Sequence, residues 1–441
     1  MAGELFGPIF VPDPVREAVS DRAWLQAMLD FEAALAVAEA RARVIPLQAA
    51  EAIGAACRAD RFDAGRIARK GRGSGNPAAP LASALRAALP DEAARWVHWG
   101  ATSQDVLDTA AMLVARRALD LVLADLDGVA TACARLADAH RATPMAGRTL
   151  LQQAVPTTFG LKAAGWLVAV SEATDRLRAI QRERLAVELG GAAGTLSALG
   201  DQGPHVLALL AEELGLAEPV VPWHTARGRV AELGAELALT AGVLAKIALD
   251  VVLLAQTEVG EVAEAAGGGS SAMPHKRNPV AATLVRACAP QVQAQAGVLV
   301  AAMAQEHERA AGAWHSEWEA LSRALELTGG AGARAREMVE GLRIDPERMR
   351  ANLDATGGLL MAEHVMVVLT EKVGGPEASR LVEAAASRAR DEGLSLGDAL
   401  ATDPGVELSD DEIRRALDPE SYLGAADAFV QRALDLVGWR P

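Results

Sequence analysis

The feature that most constrains the fold is a long run of apolar residues at helical spacing, which begins shortly after Asp105. The residues of this stripe recur every three or four positions: Ala111, Val114, Ala118, Val122, Leu126, Val129, Cys133 and Leu136. A stripe of about seven turns predicts one continuous helix that is buried along its length. Similar patterns cover 158–188, 230–265 and 279–311. Three or more helices above about thirty residues, joined by polar junctions, predict an elongated bundle.

Composition supports an all-α fold. Half of the residues are apolar, alanine dominates them and only 3% of the chain is aromatic, which favours closely packed helices over strands. Around the bundle we expect two smaller helical domains, so the predicted domains are 1–105, 106–349 (the central long-helix bundle) and 350–441. In the first, Ser20 and Asp21 are expected to start a helix; in the last, Ser409 and Glu412 have the spacing of a capping box.

A net charge of −15 argues against nucleic acid and against an anionic membrane as the main partner. The three cysteines, Cys57, Cys133 and Cys288, are widely spaced within alanine-rich segments, which is typical of buried thiols in a reducing compartment. No secretory leader pattern precedes Pro14. We therefore expect a cytoplasmic protein that meets an anionic small molecule with a few well-placed cations.

A polar loop at 267–279 joins two of the predicted long helices. Three glycines give its first part conformational freedom, while Asn278 can cap the next helix and Pro279 suits its first turn. Between them lie Ser270, Ser271, His275, Lys276 and Arg277. This set suits binding of a carboxylate and transfer of a proton, although a solvated surface loop is the alternative.

The long helix is preceded by His98, Thr102 and Ser103. Thr102 and Asp105 have the spacing of a capping box, and a cap alone can explain both residues. The functional alternative is that the two hydroxyls and the free N–H groups of the helix start bind an anion, with His98 beside them.

A second polar junction, 147–156, contains Arg148 and Gln153, and Arg148 can pair with a carboxylate through two hydrogen bonds. Near 314–318, Trp314 and Trp318 are expected to pack on one helix face, which leaves the role of His315 open between packing and binding. No His, Cys or carboxylate cluster has the spacing of a metal site, so neither a metal nor another cofactor is expected.

The segment 269–279, together with 98–109 and 147–160, resembles the three shared regions of the fumarase/aspartase superfamily, in the same order. Within it, 305–318 and 422–426 are similar to bacterial 3-carboxy-cis,cis-muconate cycloisomerases of protocatechuate catabolism. Adenylosuccinate lyase is the near competitor. The resemblance implies a homotetramer whose sites are shared between subunits, a tricarboxylate substrate and an enediolate intermediate.

The resemblance also assigns roles to individual residues. Ser270 would exchange the proton with carbon, and Lys276 and Asn278 would stabilise the enediolate. The expected substrate contacts are His98, Thr102, Ser103, Arg148, Gln153, Ser271, Met273, His275 and His315.

Two positions depart from the lyase pattern. Lyases of the superfamily commonly have histidine where this chain has Leu150, and often glutamate where it has Thr283. Because an aliphatic side chain cannot transfer a proton, these departures favour cycloisomerisation, in which the substrate's own carboxylate is the nucleophile. A fumarate-releasing lyase, a deaminating or desulfurising relative, and a catalytically silent structural protein remain the alternatives.

Overall fold

A computed structural model of the chain describes residues 4–265, 268, 269, 273 and 275–440. Backbone contacts divide the chain into two compact units. Unit 1 comprises Met1–Asp127, Glu172–Lys246 and Leu284–Ala335, and unit 2 comprises Gly128–Ser171, Ile247–Thr283 and Arg336–Pro441. The predicted division into three domains stays a prediction.

Eight shorter helices belong to unit 1. They are α1 (Gly7–Phe10), α2 (Asp13–Ala18), α3 (Asp21–Arg41), α4 (Leu47–Ala56), α5 (Ala64–Gly71), α6 (Ala78–Ala87), α7 (Asp91–Ala94) and α10 (Gly203–Leu214). The expected start of α3 is confirmed, because the Ser20 hydroxyl accepts a hydrogen bond from the Ala23 N–H.

Five long helices contribute residues to both units: α8 (Ser103–Ala139), α9 (Phe159–Glu183), α11 (Gly228–Leu254), α12 (Val280–Ala301) and α13 (Ala313–Glu340). Side chains join them laterally within unit 1. For example, Arg178 on α9 pairs with Asp127 on α8, and Arg176 on α9 pairs with Glu236 on α11. The predicted stripe of α8 is buried throughout.

Unit 2 contains the remaining helices: α14 (Pro346–Asp354), α15 (Ala362–Val373), α16 (Gly375–Glu392), α17 (Leu396–Ala401), α18 (Asp410–Ala416) and α19 (Ala426–Leu436). It also contains the short strands of the described chain: β1 (Pro144–Thr149), β2 (Gln152–Thr158), β3 (Val262–Glu264), β4 (Gly268–Gly269), β5 (Arg277–Asn278) and β6 (Leu342–Ile344). They form three antiparallel pairs, β1 with β2, β3 with β6 and β4 with β5. The expected capping box of Ser409 and Glu412 is confirmed at the start of α18.

The all-α class is confirmed, but the predicted helix lengths were too long. Of the described helices, only α8, with 37 residues, exceeds thirty. α9 ends at Glu183 because the chain then pairs Ala186 with Ala217. α11 ends at Leu254, after which 262–264 form strand β3, and α12 ends at Ala301. Apolar residues continue beyond each end, so hydrophobic spacing alone could not locate these boundaries.

The described chain has one helix, α11, that is long and apolar enough to cross a membrane by length and composition, and a bent pair, α14 with Leu359–Val373, passes the same test when its parts are taken together. In α11, Leu233, Leu237 and Leu244 are fully buried. The helix also carries Glu236, which accepts hydrogen bonds from Arg176. Core helices of soluble proteins share these properties.

Candidate active site

The start of α8 is organised by the carboxylate of Asp105. One oxygen, Oδ2, accepts hydrogen bonds from the N–H groups of Thr102 (2.9 Å) and Gly191 (3.0 Å). The other, Oδ1, accepts from the Gly190 N–H (3.0 Å) and lies 2.6 Å from Nε2 of His224. The bond to Thr102 is one half of the predicted capping box. Asp105 is fully buried, so it fixes the helix start to the glycine-containing segment beside it.

The Thr102 hydroxyl has a different partner. Arg309 donates to its Oγ1 over 3.1 Å and also to the carbonyl oxygens of Gly191 and Ala192. Thr102 and Ser103 are half-buried. A hydroxyl that accepts from a guanidinium can still donate its own proton, which is compatible with the predicted contact to an anion.

His224 lies between two buried carboxyl groups. Its Nε2 is 2.6 Å from Asp105 Oδ1 and 3.4 Å from Glu188 Oε1. Burial, followed by the charges of Asp105 and Asp108, raises the pKa of Glu188 to about 9. Glu188 is therefore protonated at neutral pH.

The three ligand-type atoms of Asp105, Glu188 and His224 lie within 4.8 Å of one another. By donor type they could hold a cation, and linear spacing could not show this because the residues are far apart in sequence. The contact of 2.6 Å between Asp105 and His224 has the length of a short hydrogen bond rather than the separation of two ligands around an ion. We therefore interpret the group as a hydrogen-bonded pair of Asp105 and His224, with the carboxyl group of Glu188 beside the ring.

A second buried layer lies one helical turn further along α8. Arg227 donates to both oxygens of Asp108, over 2.7 and 2.9 Å, and to Glu317. Asp108 also accepts from the indole N–H of Trp314 and from the Gln104 side chain. Burial alone would lower the pKa of Arg227, but the charges and hydrogen bonds of Asp108 and Glu317 outweigh it and raise the pKa.

His98 lies just before α8, where its Nδ1 is 2.7 Å from Oε1 of Glu32 on α3. Its backbone has a φ of +62°, a left-handed conformation that is uncommon for a residue with a side chain and often marks a functional constraint. His98 is thus held in a defined direction by both its backbone and its ring.

His315 is an exposed residue near the start of α13. Its ring centroid lies 5.1 Å from that of Trp314 and 4.8 Å from that of Trp318. The predicted packing of the two tryptophans is confirmed, with ring centroids 4.9 Å apart at 88°. These contacts orient the imidazole and leave its predicted binding role untested.

Arg148 forms a bidentate ion pair within unit 2. It donates to both oxygens of Glu261, over 2.6 and 2.9 Å. Glu261 is fully buried and also accepts a hydrogen bond from the side-chain amide of Asn352. The backbone carbonyl of Asn352 accepts a hydrogen bond from the Gln153 side chain. Arg148 therefore already has a carboxylate partner in this structure, and binding a substrate carboxylate would require it to share or exchange Glu261.

Leu150 and Leu151 form the tip of the β1–β2 hairpin. They are 97% and 76% exposed, and both have positive φ values, +51° and +65°. A two-residue turn of this kind usually contains Asn or Gly. The position where lyases commonly have histidine is thus an exposed aliphatic side chain in a strained turn.

The loop at 267–279 is closed at its base by a short ladder that pairs Gly268 with Asn278 and Gly269 with Arg277. His275, Lys276 and Met273 are exposed, and the Lys276 N–H donates to the Met273 carbonyl over 3.0 Å. Ser270 and Ser271, for which proton transfer and binding were predicted, lie outside the described residues.

The prediction that Asn278 caps the following helix was wrong. The carbonyl of Pro279 accepts the first intrahelical bond, from the Thr283 N–H, so Pro279 is the N-cap and Asn278 precedes it. Since proline has no side-chain acceptor, Glu264 takes this role: its carboxylate accepts from the N–H groups of Ala281 and Ala282. Glu264 is a long-range cap that no local sequence pattern could reveal.

The predicted residues divide between the units. His98, Thr102, Ser103 and His315 belong to unit 1, and Arg148, Gln153, Met273, His275, Lys276 and Asn278 belong to unit 2. Their assignments to binding or catalysis stay predictions.

Sequence reasoning missed the buried partners that hold the predicted residues: Glu32, Glu188, His224, Arg227, Glu261 and Glu264. The one local signal was that Glu32 and Glu188 interrupt mostly apolar segments.

Two family profiles match the chain: one described as "Lyase" over residues 11–294, and one described as "Adenylosuccinate lyase C-terminus" over residues 358–433. The chain is 50% identical to a nitrosuccinate lyase of Streptomyces davaonensis, with 98% of this chain and 94% of the relative covered. It is 49% identical to a 3-carboxy-cis,cis-muconate cycloisomerase of Bradyrhizobium diazoefficiens, with 98% and 97% covered.

Among solved structures, the 3-carboxy-cis,cis-muconate lactonizing enzyme from Pseudomonas putida matches with a TM-score of 0.94 and 46% identity, covering 98% of both chains. The match therefore covers nearly the whole of both chains. The chain therefore belongs to the lyase family of the fumarase/aspartase superfamily.

Proposed function

We propose that this protein is a 3-carboxy-cis,cis-muconate cycloisomerase, which converts its tricarboxylate substrate into 4-carboxymuconolactone. Relatives and solved structures with this activity match the chain over nearly its full length. The observation that carries the choice is Leu150, an exposed aliphatic residue where lyases commonly have an acid/base histidine. A reaction that needs one protein proton donor fits such a site better than one that needs both an acid and a base.

In the proposed reaction, a substrate carboxylate adds to a carbon–carbon double bond within the same molecule. A C–O bond forms, the π electrons move toward the neighbouring carboxylate as an enediolate, and carbon then gains one proton. Because the attacking carboxylate loses its charge, each turnover consumes one proton from solution.

Ser270 would deliver this proton to carbon, and Lys276 and Asn278 would stabilise the enediolate. A single such donor is typically worth about 2.7–4 kcal/mol of barrier. Support comes from the exposed position of Lys276, which directly precedes the described pairing of Arg277 with Gly269. Closure of the loop over substrate would bring these groups together.

A nitrosuccinate lyase is the second candidate, favoured by the identity of 50% to the relative from Streptomyces. Loss of nitrite from nitrosuccinate breaks a C–N bond and releases a proton from the neighbouring carbon. The two reactions therefore have opposite proton balances.

Proton balance gives the deciding experiment. In weakly buffered solution with a pH indicator, we expect the wild-type protein to take up one proton per 3-carboxy-cis,cis-muconate consumed, as the diene absorbance disappears. Nitrite production and acidification with nitrosuccinate, at a higher kcat/KM, would instead establish the second candidate. Turnover of neither substrate would support a catalytically silent protein.

We further propose that the protein is a cytoplasmic homotetramer with shared sites. Exposed apolar side chains on the long helices support association: Leu239, Leu249, Val298 and Val300. The three cysteines are free and buried, which suits a reducing compartment. Light scattering coupled to size-exclusion chromatography should give four times the mass of 45.9 kDa, and a monomer would contradict the proposal.

A further inference from the structure

Glu32 is a buried acid on α3 whose nearest polar contact lies outside its own helix. Its Oε1 is 2.7 Å from Nδ1 of His98, and the side chains of Glu32 and His98 are 1% and 14% exposed. An acid on a mostly apolar helix face is costly unless it is paired. The pairing with His98 supplies a reason for its presence.

The charged groups that act on His98 come from three helices. Burial would lower the pKa of His98, and Arg86 on α6 acts in the same direction. Glu32 on α3, through its charge and its hydrogen bond, and Asp105 on α8 oppose this effect and raise the pKa. Glu32 is the only one of these groups that contacts the ring directly.

The geometry also decides which ring nitrogen is available. With Nδ1 bonded to Glu32, Nε2 has no hydrogen-bond partner within the described part of the chain, and a small part of the side chain is exposed. In a neutral ring whose Nδ1–H donates to Glu32, Nε2 would carry a lone pair and repel a carboxylate. In the protonated ring, Nε2–H is a donor.

We propose that Glu32 is a positioning residue, which holds the His98 ring through Nδ1 and keeps it protonated, so that Nε2–H donates to a carboxylate of the substrate. This inference rests on the function proposed above. It adds Glu32, which lies 66 positions before His98 in the sequence, to the residues that support the proposed reaction.

The test compares Glu32→Gln, Glu32→Asp and Glu39→Gln with the wild type. Glutamine keeps an acceptor of similar size but removes the charge, whereas aspartate keeps the charge on a shorter side chain. Glu39 is the matched control: it is a buried acid on the same helix, and burial and the charge of Glu32 raise its pKa to about 9, so that it is already neutral.

The first readout is the pH dependence of kcat and KM between pH 6 and 9. For Glu32→Gln we expect KM close to the wild-type value at pH 6 and about tenfold higher at pH 8, the effect of losing one hydrogen bond to a charged group. The value of kcat should change less. Glu32→Asp should restore part of the affinity, and Glu39→Gln should match the wild type.

The second readout needs no turnover. In the ligand-free full chain with isotope-labelled histidine, the titration of His98, assigned with His98→Asn, should move to lower pH in Glu32→Gln. Calorimetry with propane-1,2,3-tricarboxylate should show weaker binding for the same variant at pH 8. These measurements remain informative even if the wild type does not cyclise the muconate, so failure of the proposed function can be told apart from failure of this inference.

An unchanged His98 titration in Glu32→Gln would overturn the proposal. So would a KM that rises equally at every pH, because a purely structural role for Glu32 predicts that result. If Glu32→Gln does not fold, as judged by circular dichroism, Glu32→Asp provides the same comparison with the charge retained and the distance changed.

Discussion

Helices α8 and α12 both begin next to a shared sequence motif, but their starts are built differently. At α8, the capping acid Asp105 belongs to the helix itself and is fully buried, with four hydrogen-bonding partners. At α12, the acid is Glu264, sixteen positions before Val280, and in the described part of the loop ahead of the helix Gly268 pairs with Asn278 and Gly269 with Arg277. The first start suits a preformed anion site, whereas the second depends on an acid from a separate strand, β3.

The largest effect should come from the loop ahead of α12. We expect Ser270→Ala to lower turnover of 3-carboxy-cis,cis-muconate by about 10²- to 10⁴-fold, the usual contribution of a positioned proton donor, with no change in thermal unfolding. Loss of diene absorbance measures the rate. Ser271→Ala should have a smaller effect, and the reverse order would transfer the proton-donor role to Ser271.

The preformed side should be more sensitive in stability. Arg227→Met leaves Asp108 and Glu317 buried without their cation, which should lower the free energy of unfolding by about 3–5 kcal/mol. Urea denaturation measures this change. The exposed Arg182, paired with Glu183, gives the control Arg182→Met, for which we expect less than about 1 kcal/mol. If the two variants lose equal free energy of unfolding, the buried ion pairs of Arg227 do not contribute more than an exposed pair.

On α3, burial keeps the acid Glu39 uncharged, and this makes stability depend on pH. Burial, followed by the charge of Glu32, raises the pKa of Glu39 to about 9. A carboxyl group whose pKa is higher in the folded than in the unfolded chain stabilises the folded state fully at pH values below its unfolded-state pKa. This stabilisation is lost as the pH rises toward the folded-state pKa, here about 9. The wild type should therefore lose stability relative to Glu39→Gln between pH 6 and 8, by up to about 1.4 kcal/mol per pH unit.

Urea unfolding at pH 6, 7 and 8 measures this difference. Glu51→Gln, at an exposed position of α4, is the control and should follow the wild type. A Glu39→Gln profile parallel to that of the wild type would show that the Glu39 carboxyl is hydrated and ionised.

The smallest expected effect is at the cap of α12. Glu264→Gln replaces a charged acceptor of two N–H groups by a neutral one and should lower the free energy of unfolding by about 1 kcal/mol. The exposed Glu258 provides the control Glu258→Gln. A decrease in turnover larger than the loss of stability explains would show that the cap also sets the position of the loop.

The sequence predicted those features whose physics is local. The stripe of α8, the start of α3 at Ser20, the capping box at Ser409 and the contact of Trp314 with Trp318 all depend on residues within a few turns of each other. Each of them is present in the structure.

Features that depend on distant parts of the chain could not be predicted in this way. Glu264 replaces Asn278 as the cap because of a strand pairing, and His224 meets Asp105 across 119 positions. The ends of α9 and α11 are likewise set by strand-like pairings rather than by a change in hydrophobic spacing. The motifs thus indicated where the site residues are, and the tertiary structure supplied the groups that hold them.

The hydrogen bonds of Asp105 have a consequence for amide hydrogen exchange. Thr102, Gly190 and Gly191 lie outside the helices and strands, where amide protons commonly exchange with solvent quickly. All three donate to a carboxylate that is fully buried. Their deuterium uptake should therefore be as slow as that of the helical core, so that a segment without regular secondary structure would exchange together with α8.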